Sequence, residues 1–343
     1  MSGSGPTNSL VDVTGLAVGH ATRRGDGWLT GTTVVLAGAD GAVAGVDVRG
    51  GGPGTRETDL LDPRNVVERV HAVVLTGGSA FGLAAADGVM TELEARGTGL
   101  PVGSAGAIVP IVPAAVVFDL GRGGDLAKRP DATLGAEAAR TASGEAVREG
   151  SVGAGTGAVA GGLKGGVGSA SQVLDDGTTV AALAVVNAAG SPVDRATGLL
   201  WAHAHLRPDE QPRLPDDAAV GRLRTATTPP EPTLGTATTL LVVATDATLS
   251  KAQCAKAAGL AHDGLARAIS PVHTMVDGDT AFALATCARP SPDMVQLHLL
   301  LTAAGDVACR AVARAVLAAE PVSTAAGRWP SYGSLLHGGA AAR

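Results

Sequence analysis

Short apolar runs alternate with Ala- and Leu-rich helical segments along the whole chain. Residues 180–186 and 238–245 are apolar at most consecutive positions, which is typical of strands covered on both faces. The pattern predicts strands at 31–36, 42–48, 71–75, 179–187, 238–245 and 280–287, and helices at 81–96, 134–148, 251–268 and 292–319. Because strands and helices are mixed throughout, the sequence predicts an α/β fold of stacked sheet and helix layers.

Two local sequence patterns predict how two of the strands connect and where one of the helices begins. Residues 31–36 and 42–48 flank a Gly-Ala-Asp-Gly sequence at 38–41, and this short turn predicts a β-hairpin. Ser250 and Gln253 form the capping-box pattern that marks the start of a helix.

One long linker precedes the strand predicted at 238–245. Residues 207–237 carry many charges and a series of prolines, namely Pro208, Pro212, Pro215, Pro229, Pro230 and Pro232. Loops of this length in compact domains are usually functional or disordered. The linker ends directly before Thr238, which is where a self-cleaving hydrolase would expose a new N-terminal nucleophile.

Composition and charge narrow the classes of partner. The 343-residue chain has a formal net charge of −6 and only 2% aromatic residues. Without a Lys/Arg cluster, this charge argues against nucleic acid and anionic membranes as partners, and the scarcity of aromatics argues against base stacking. A small molecule or peptide is the favoured substrate class. Met1 to Thr14 lacks the features of a signal peptide, so we expect a cytoplasmic protein.

The sequence predicts no metal site. The cysteines, which lie in apolar or helical contexts and are odd in number, are expected to be buried reduced thiols; they are Cys254, Cys287 and Cys309. His203 and His205 follow a helical segment, in which side chains two positions apart diverge.

A Gly-rich segment at 150–166 contains a single cation, Lys164. Lys164 follows Leu163 rather than Gly, so the GxxxxGK[ST] phosphate-binding pattern is not met. Residues 153–158 fit a dinucleotide-binding pattern only loosely, because no strand precedes them. A lone Lys among exposed backbone amides is a candidate to meet an acid pair or a developing oxyanion.

Thr238 is the candidate nucleophile. A hydroxyl needs a base to take its proton, and a free α-amine with a pKa of about 7.7–8.0 is suitable near neutral pH. Cleavage before Thr238 would place that amine on the nucleophile itself. Spacing alone, however, favours the interpretation that Thr238 and Thr239 merely begin a strand.

Two acids and one amide complete the candidate chemistry. If 277–280 is extended, Asp277 and Asp279 lie on one side of the chain, where they can orient a hydroxyl and hold an ammonium group; an ordinary Asp-Gly turn is the alternative. Asn187 ends the apolar run 180–186, where its amide can donate to an oxyanion or cap the following turn.

Taken in order, these stretches resemble the DmpA-type aminopeptidases of peptidase family S58, which include β-peptidyl aminopeptidases and nylon-oligomer hydrolases. The resemblance covers nearly the whole chain, and its motifs in this order are highly specific. They are GGGPGTRETD at 50–59, LTGGSAFGL at 75–83, VGAGTG at 152–157, VVN at 185–187, the run at 238–246 and HTMVDGDT at 273–280.

The resemblance implies a four-layer α/β/β/α sandwich similar to Ntn hydrolases, formed by a single domain over 1–343. It also implies an inactive precursor that cleaves itself between Ala237 and Thr238 into an α chain (1–237) and a β chain (238–343). The two chains would assemble as a tetramer of αβ units, and the reaction would need no metal or organic cofactor. Many relatives have Asn or Gly in place of Ala237.

The resemblance further implies roles for individual residues. The implied catalytic residues are the nucleophile Thr238, the oxyanion-site Asn187, the active-site Lys164, and the acid pair Asp277 and Asp279, which positions the amine and Lys164. The implied substrate pocket is shaped by Ser79, Phe81 and Phe118. Many relatives have Tyr in the region of Phe118, so a phenolic hydroxyl is lacking there.

The implied activity is hydrolysis of amide or ester bonds in small aminoacyl substrates through an acyl-enzyme on Thr238. Family members differ in preference among L-aminoacyl peptides, D-amino acid esters and amides, β-peptides and nylon oligomers. Three alternatives stay open: an acyltransferase resembling ornithine acetyltransferase, a non-catalytic assembly protein left uncleaved because of Ala237, and a cofactor-binding domain built on the Gly-rich segment.

Overall fold

Two large sheets form the centre of the protein. The computed structural model describes residues 3–103, 106–227 and 236–338. The strands are β1 (Ala17–Gly25), β2 (Trp28–Leu36), β3 (Ala42–Val48), β4 (Thr55–Arg56), β5 (Arg69–Val70), β6 (Ala72–Thr76), β7 (Leu100–Pro101), β8 (Ile108–Val109), β9 (Ala114–Val116), β10 (Val159–Ala160), β11 (Leu163–Lys164), β12 (Val167–Val173), β13 (Thr179–Asn187), β14 (Thr238–Ala247), β15 (Thr280–Arg289), β16 (Val322–Thr324) and β17 (Gly327–Trp329). The α-helices are α1 (Ala85–Ala95), α2 (Ala132–Arg140), α3 (Asp217–Ala226), α4 (Lys251–Ala268), α5 (Met294–Leu317) and α6 (Tyr332–His337). The six-stranded sheet has the order β12-β13-β14-β15-β3-β5, and the five-stranded sheet has the order β1-β2-β6-β9-β4.

The layers stack as helix, sheet, sheet and helix. α1 and α2 cover the outer face of the five-stranded sheet, and Val74 and Leu134 lie in the core between them. The two sheets face each other across a second core that contains Leu75 and Leu240. α4 and α5 cover the outer face of the six-stranded sheet, where Leu241 is buried. The predicted four-layer α/β/β/α sandwich is therefore confirmed.

β14 explains why a strand in this fold is apolar at consecutive positions. Leu240 and Val242 point toward the five-stranded sheet, whereas Leu241 and Val243 point toward the helices. Every residue of β14 is buried, so neither face tolerates a polar stripe. Its antiparallel neighbour β13 and its parallel neighbour β15 continue the same two cores.

α4 begins at the residue that the capping pattern predicts. Ser250 Oγ accepts a hydrogen bond from Gln253 N at 3.3 Å, and Gln253 Oε1 accepts one from Ser250 N at 2.8 Å. α4 then packs closely on α5, since a Cβ on Gly264 would lie 2.4 Å from the Gly305 carbonyl oxygen. The absence of a side chain at Gly264 lets the two helices form one layer.

Most predicted elements are confirmed. The strands at 71–75, 179–187, 238–245 and 280–287 correspond to β6, β13, β14 and β15, and the helices at 251–268 and 292–319 correspond to α4 and α5. The helix predicted at 81–96 is a 3₁₀ turn over Ser79–Ala84 that continues into α1.

The hairpin predicted from 31–36 and 42–48 is wrong. β2 pairs with β1 and β6 in the five-stranded sheet, while β3 pairs with β15 and β5 in the six-stranded sheet. The short connection therefore carries the chain from one sheet to the other. Both strands are apolar, and a short turn joins stacked sheets as readily as adjacent strands.

Two other bounds also differ from the prediction. The helix predicted at 134–148 is α2, which ends at Arg140 because the chain then pairs with β1 through Val18 N and the Ser143 carbonyl at 3.0 Å. The segment 207–237 is not simply a linker, because it contains α3, whose Arg222 Nε donates to Leu335 O at 2.7 Å. Residues 228–235 of that segment, with Pro229, Pro230 and Pro232, lie outside the described residues.

Helix lengths also bear on membrane insertion. Among residues 3–103, 106–227 and 236–338, no helix has the length and apolar character needed to cross a membrane.

Candidate active site

Thr238 and Asn187 lie side by side at one end of the six-stranded sheet. Thr238 is the first residue of β14, Asn187 is the last residue of β13, and the antiparallel register places them directly opposite each other. Residues in such positions have Cβ atoms about 4.5–5.5 Å apart. Thr238 shares the parity of Leu240, so its side chain lies on the face toward the five-stranded sheet. Both residues are buried.

The peptide bond between Ala237 and Thr238 is held in a defined geometry. Ala237 forms a parallel bridge with Asp277, and its carbonyl oxygen accepts a hydrogen bond from Gly278 N at 2.9 Å. Thr238 Oγ donates to the same carbonyl oxygen at 2.5 Å. A hydroxyl and a backbone donor thus converge on one peptide carbonyl.

Gly278 is close to the candidate nucleophile. A Cβ at this position would lie 2.6 Å from Thr238 Oγ and 2.9 Å from the Gly52 carbonyl oxygen. Gly52 belongs to the Gly-rich loop that follows β3, and its N–H donates to Asp277 O at 2.9 Å. The loop after β3 and the segment before β15 therefore form one packed wall beside Thr238.

The acid pair is buried, and each carboxylate has its own set of donors. Asp277 Oδ2 accepts hydrogen bonds from Thr274 N at 2.9 Å and Thr274 Oγ at 2.7 Å. Asp279 Oδ1 accepts one from Thr239 N at 2.6 Å, and Asp279 Oδ2 accepts one from His273 Nδ1 at 2.8 Å. Asp279 thus connects the residue after the nucleophile to His273.

Lys164 is fully buried on β11, and its side chain bonds to backbone carbonyls rather than to the carboxylates that were expected to hold it. Its Nζ donates to the carbonyl oxygens of Gly155 at 2.8 Å and Gly165 at 2.7 Å. Among the described residues it forms no ion pair, so the expectation that Asp277 and Asp279 position Lys164 is not met. Burial lowers the pKa of the Lys164 amine well below its usual value, and the nearby guanidinium groups lower it further. Burial therefore disfavours the charged form of this amine.

The side-chain amide of Asn187 is held at its oxygen and free at its nitrogen. Asn187 Oδ1 accepts hydrogen bonds from Arg122 Nη1 at 2.5 Å and from Val159 N at 3.0 Å. Asn187 Nδ2 is buried and has no hydrogen-bond partner within the described part of the chain. A buried donor without a partner is costly unless something binds to it.

Asp119 is a further buried acid, in the turn that leads to Arg122. Its Oδ1 accepts a hydrogen bond from Gly78 N at 2.7 Å, which ties the loop after β9 to the loop after β6. Burial raises the pKa of Asp119 to about 6, although Gly78 N–H, Arg122 and Lys164 act in the opposite direction. Burial also lowers the pKa of Arg122 to about 10.

The residues expected to shape the substrate pocket lie in these same two loops. Ser79 N donates to Val117 O at 3.0 Å. Phe81 is 57% exposed, and the Arg129 guanidinium lies 3.8 Å from its ring centroid. Phe118 is half-buried. None of their hydrogen bonds within the described ranges involves Thr238.

Three residues of this arrangement are not among the site residues that the sequence predicts. Gly278 and His273 lie inside the motif at 273–280, but their roles depend on Ala237 and Asp279, which only the fold brings to them. Arg122 carried no spacing signal at all. The only indication in the sequence is that Arg122 is a positively charged residue shortly after Phe118.

The cysteines lie apart from this arrangement in what the structure describes. Cys254 and Cys309 are buried as expected, whereas Cys287 is only half-buried. Burial raises the pKa of the Cys254 and Cys309 thiols to about 12. In the three described ranges, no group of three or more His, Cys, Asp or Glu residues is placed to hold a metal ion.

Two known sequences and one family profile are similar to this chain over most of its length. The sequence profile of peptidase family S58 matches residues 8–329. The chain is 47% identical to an uncharacterized aminopeptidase of Mycobacterium leprae, over 97% of this chain and 98% of that protein. It is 30% identical to a 6-aminohexanoate-oligomer endohydrolase of Kocuria sp., over 90% and 84% of the two chains.

The fold is shared with solved structures of low sequence identity. A Burkholderia sp. beta-aminopeptidase superposes with a TM-score of 0.75 at 24% identity, covering 98% of this chain and 94% of that chain. Fold, sequence profile and close relatives agree, so the chain belongs to peptidase family S58 and is an enzyme of the peptidase or amidohydrolase class.

Proposed function

We propose that this enzyme is a self-processing, aminopeptidase-like hydrolase whose nucleophile is Thr238 Oγ, and that it cleaves amide or ester bonds of small aminoacyl substrates. The observation that carries the proposal is the pair of contacts at the Ala237 carbonyl, made by Thr238 Oγ at 2.5 Å and Gly278 N at 2.9 Å. A nucleophile and an oxyanion donor on one peptide carbonyl are two of the groups that acyl transfer requires.

The first reaction is cleavage of the chain itself. Thr238 Oγ attacks the Ala237 carbonyl carbon, and the Gly278 N–H stabilises the negative charge that develops on the oxygen. The bond from Ala237 to the Thr238 nitrogen breaks, and that nitrogen takes up the proton that Thr238 Oγ loses. Water then hydrolyses the ester between Ala237 and Thr238 Oγ. The products are an α chain, 1–237, and a β chain that begins with a free Thr238 amine.

The second reaction is turnover of substrate. The Thr238 amine takes the hydroxyl proton as Oγ attacks the substrate carbonyl. Lys164 assists as a second amine, whose charged form burial disfavours. Asn187 Nδ2 and a backbone N–H stabilise the oxyanion, and water releases the acyl group. Asp277 and Asp279 hold the wall beside the nucleophile.

The substrate enters beside the loops that follow β6 and β9. We propose that Ser79, Phe81 and Phe118 line the pocket there. The names of the relatives point to aminoacyl peptides and to 6-aminohexanoate oligomers as substrates to compare. A panel of aminoacyl p-nitroanilides, aminoacyl esters and short ω-amino acid oligomers would rank them.

Thr238→Ala tests the proposal most directly, with Thr239→Ala as the matched control. Thr239 lies next to the nucleophile, but its hydroxyl has no hydrogen-bond partner among the described residues. Intact-mass spectrometry should show two fragments for wild type and Thr239→Ala, and a single 33.6 kDa chain for Thr238→Ala. A wild-type chain that stays whole, or a Thr238→Ala chain that is cut, would contradict the proposal.

A further inference from the structure

The orientation of the Asn187 amide is fixed by two donors on one of its atoms. Arg122 Nη1 and Val159 N both donate to Oδ1, at 2.5 Å and 3.0 Å. A flipped amide would place its NH₂ group against these two donors, and two donors cannot bond each other. The nitrogen therefore faces away from Arg122 and Val159, on the buried side that has no partner.

The Arg122 guanidinium is committed to this contact. Its Nη1 also donates to the Gly157 carbonyl oxygen at 2.6 Å, and within residues 3–103, 106–227 and 236–338 the side chain makes no other hydrogen bond and no ion pair. Asp119 is the acid whose charge acts on it most directly. The positive charge is thus directed at the amide oxygen rather than neutralised by a carboxylate in contact.

The loop that carries Arg122 is anchored from both sides. Arg122 N donates to Asp119 O at 3.2 Å, which closes a turn, and Thr324 Oγ donates to Arg122 O at 2.6 Å. Asp119 is in turn fixed to Gly78 N. The guanidinium is therefore presented to Asn187 by a rigid loop, which is the condition for holding a catalytic group in place.

We propose that Arg122 is a positioning residue, which orients and polarises the Asn187 amide so that Nδ2 donates to the substrate oxyanion; this rests on the function proposed above. A cation on the amide oxygen draws electron density from the nitrogen, so its N–H becomes a stronger donor. The effect is largest when negative charge develops on the substrate, and Arg122 therefore acts on kcat more than on KM.

A double-mutant cycle tests this role. Arg122→Met, Asn187→Ala and the double variant are compared with wild type in kcat, KM and the rate of processing, with kcat normalised to the cleaved fraction. Removing one oxyanion donor typically lowers kcat by about 10²–10³-fold, so we expect that loss for Asn187→Ala and about 10–10²-fold for Arg122→Met. In the Asn187→Ala background, Arg122→Met should change kcat by less than about twofold.

Arg222→Met is the matched control, because Arg222 is another half-buried arginine that donates to backbone carbonyls, at Leu335 and Leu336. It should leave kcat unchanged, and thermal unfolding should show folded protein for every variant.

The kinetics of these variants can contradict the proposed role of Arg122 while leaving the proposed function unaffected. Equal losses from Arg122→Met in both backgrounds, a change confined to KM, or a processing rate that falls with Arg122→Met but not with Asn187→Ala would show that Arg122 does not act through Asn187. A wild-type enzyme that neither cleaves itself nor hydrolyses aminoacyl substrates would instead remove the proposed function.

Discussion

Gly278→Ala places one methyl group between the nucleophile and its neighbouring wall. Gly278 does not have a positive φ, so alanine suits the backbone and the effect is purely steric. The new Cβ would lie 2.6 Å from Thr238 Oγ and 2.9 Å from Gly52 O. Non-bonded heavy atoms are optimal near ~3.5 Å, so the hydroxyl and the methyl group must separate by roughly 0.5–1 Å.

That displacement sets the expected magnitude. A misplacement of about 1 Å at a reacting atom can lower a rate by ~10²-fold, which corresponds to about 2.7 kcal/mol in the barrier. We therefore expect Gly278→Ala to slow self-cleavage about 10²-fold. Overpacking costs the folded state about 1–3 kcal/mol, so the variant should remain folded.

The assay follows the uncleaved chain with time by intact-mass spectrometry after synthesis in a cell-free system. Gly144→Ala is the control, since a Cβ there meets nothing within 4 Å, and it should process at the wild-type rate. A Gly278→Ala chain that processes as fast as Gly144→Ala would show that the contacts at the Ala237 carbonyl do not govern cleavage.

Two further predictions concern pH and the acid pair. Because the pKa of Asp119 is raised to about 6 from 3.8, its protonated form stabilises the folded state, and this stability is complete below pH 3.8 and is lost as the pH rises through 6. The free energy of unfolding, measured with urea, should fall by about 3 kcal/mol more in wild type than in Asp119→Asn as the pH rises from below 3.8 to above 6. If the free energies of the two proteins change with pH in parallel, the raised pKa of Asp119 is refuted. His273→Gly suits the φ of 57° at this position and removes the side-chain donor to Asp279 Oδ2, while the backbone N–H of residue 273 remains a donor to the same atom; it should lower kcat about tenfold. His273→Asn keeps a side-chain donor near Nδ1 and should recover most of that loss, and equal losses in both variants would show that this hydrogen bond does not position the site.

The apolar pattern predicts the central strands and helices because burial on both faces leaves a direct trace in the sequence. β13 and α4 have the bounds that the sequence predicts. The pattern does not reveal which strand pairs with which, because strands in stacked sheets are apolar alike. The hairpin predicted from 31–36 and 42–48 fails for this reason.

The candidate site, like the fold, is predicted from the sequence only in part. Thr238, Asn187 and the acid pair stand out in the sequence through residue type and motif. Arg122 does not, because its importance depends on the Asn187 oxygen, a contact between residues far apart along the chain. Lys164 is recognised, but its partners are backbone carbonyls, which no side-chain pattern records.

The order of the six-stranded sheet has a consequence for folding. β14 and β15 follow the proposed cleavage point and lie between β13 and β3, which precede it. The shorter product would therefore form the middle of a sheet whose two borders belong to the longer one. Before cleavage the chain folds as one molecule, whereas after the proposed cleavage the same fold would be a heterodimer whose stability depends on concentration. Cleavage would thus turn a unimolecular folding reaction into a bimolecular one, and the enzyme would be assembled once, before its active form exists.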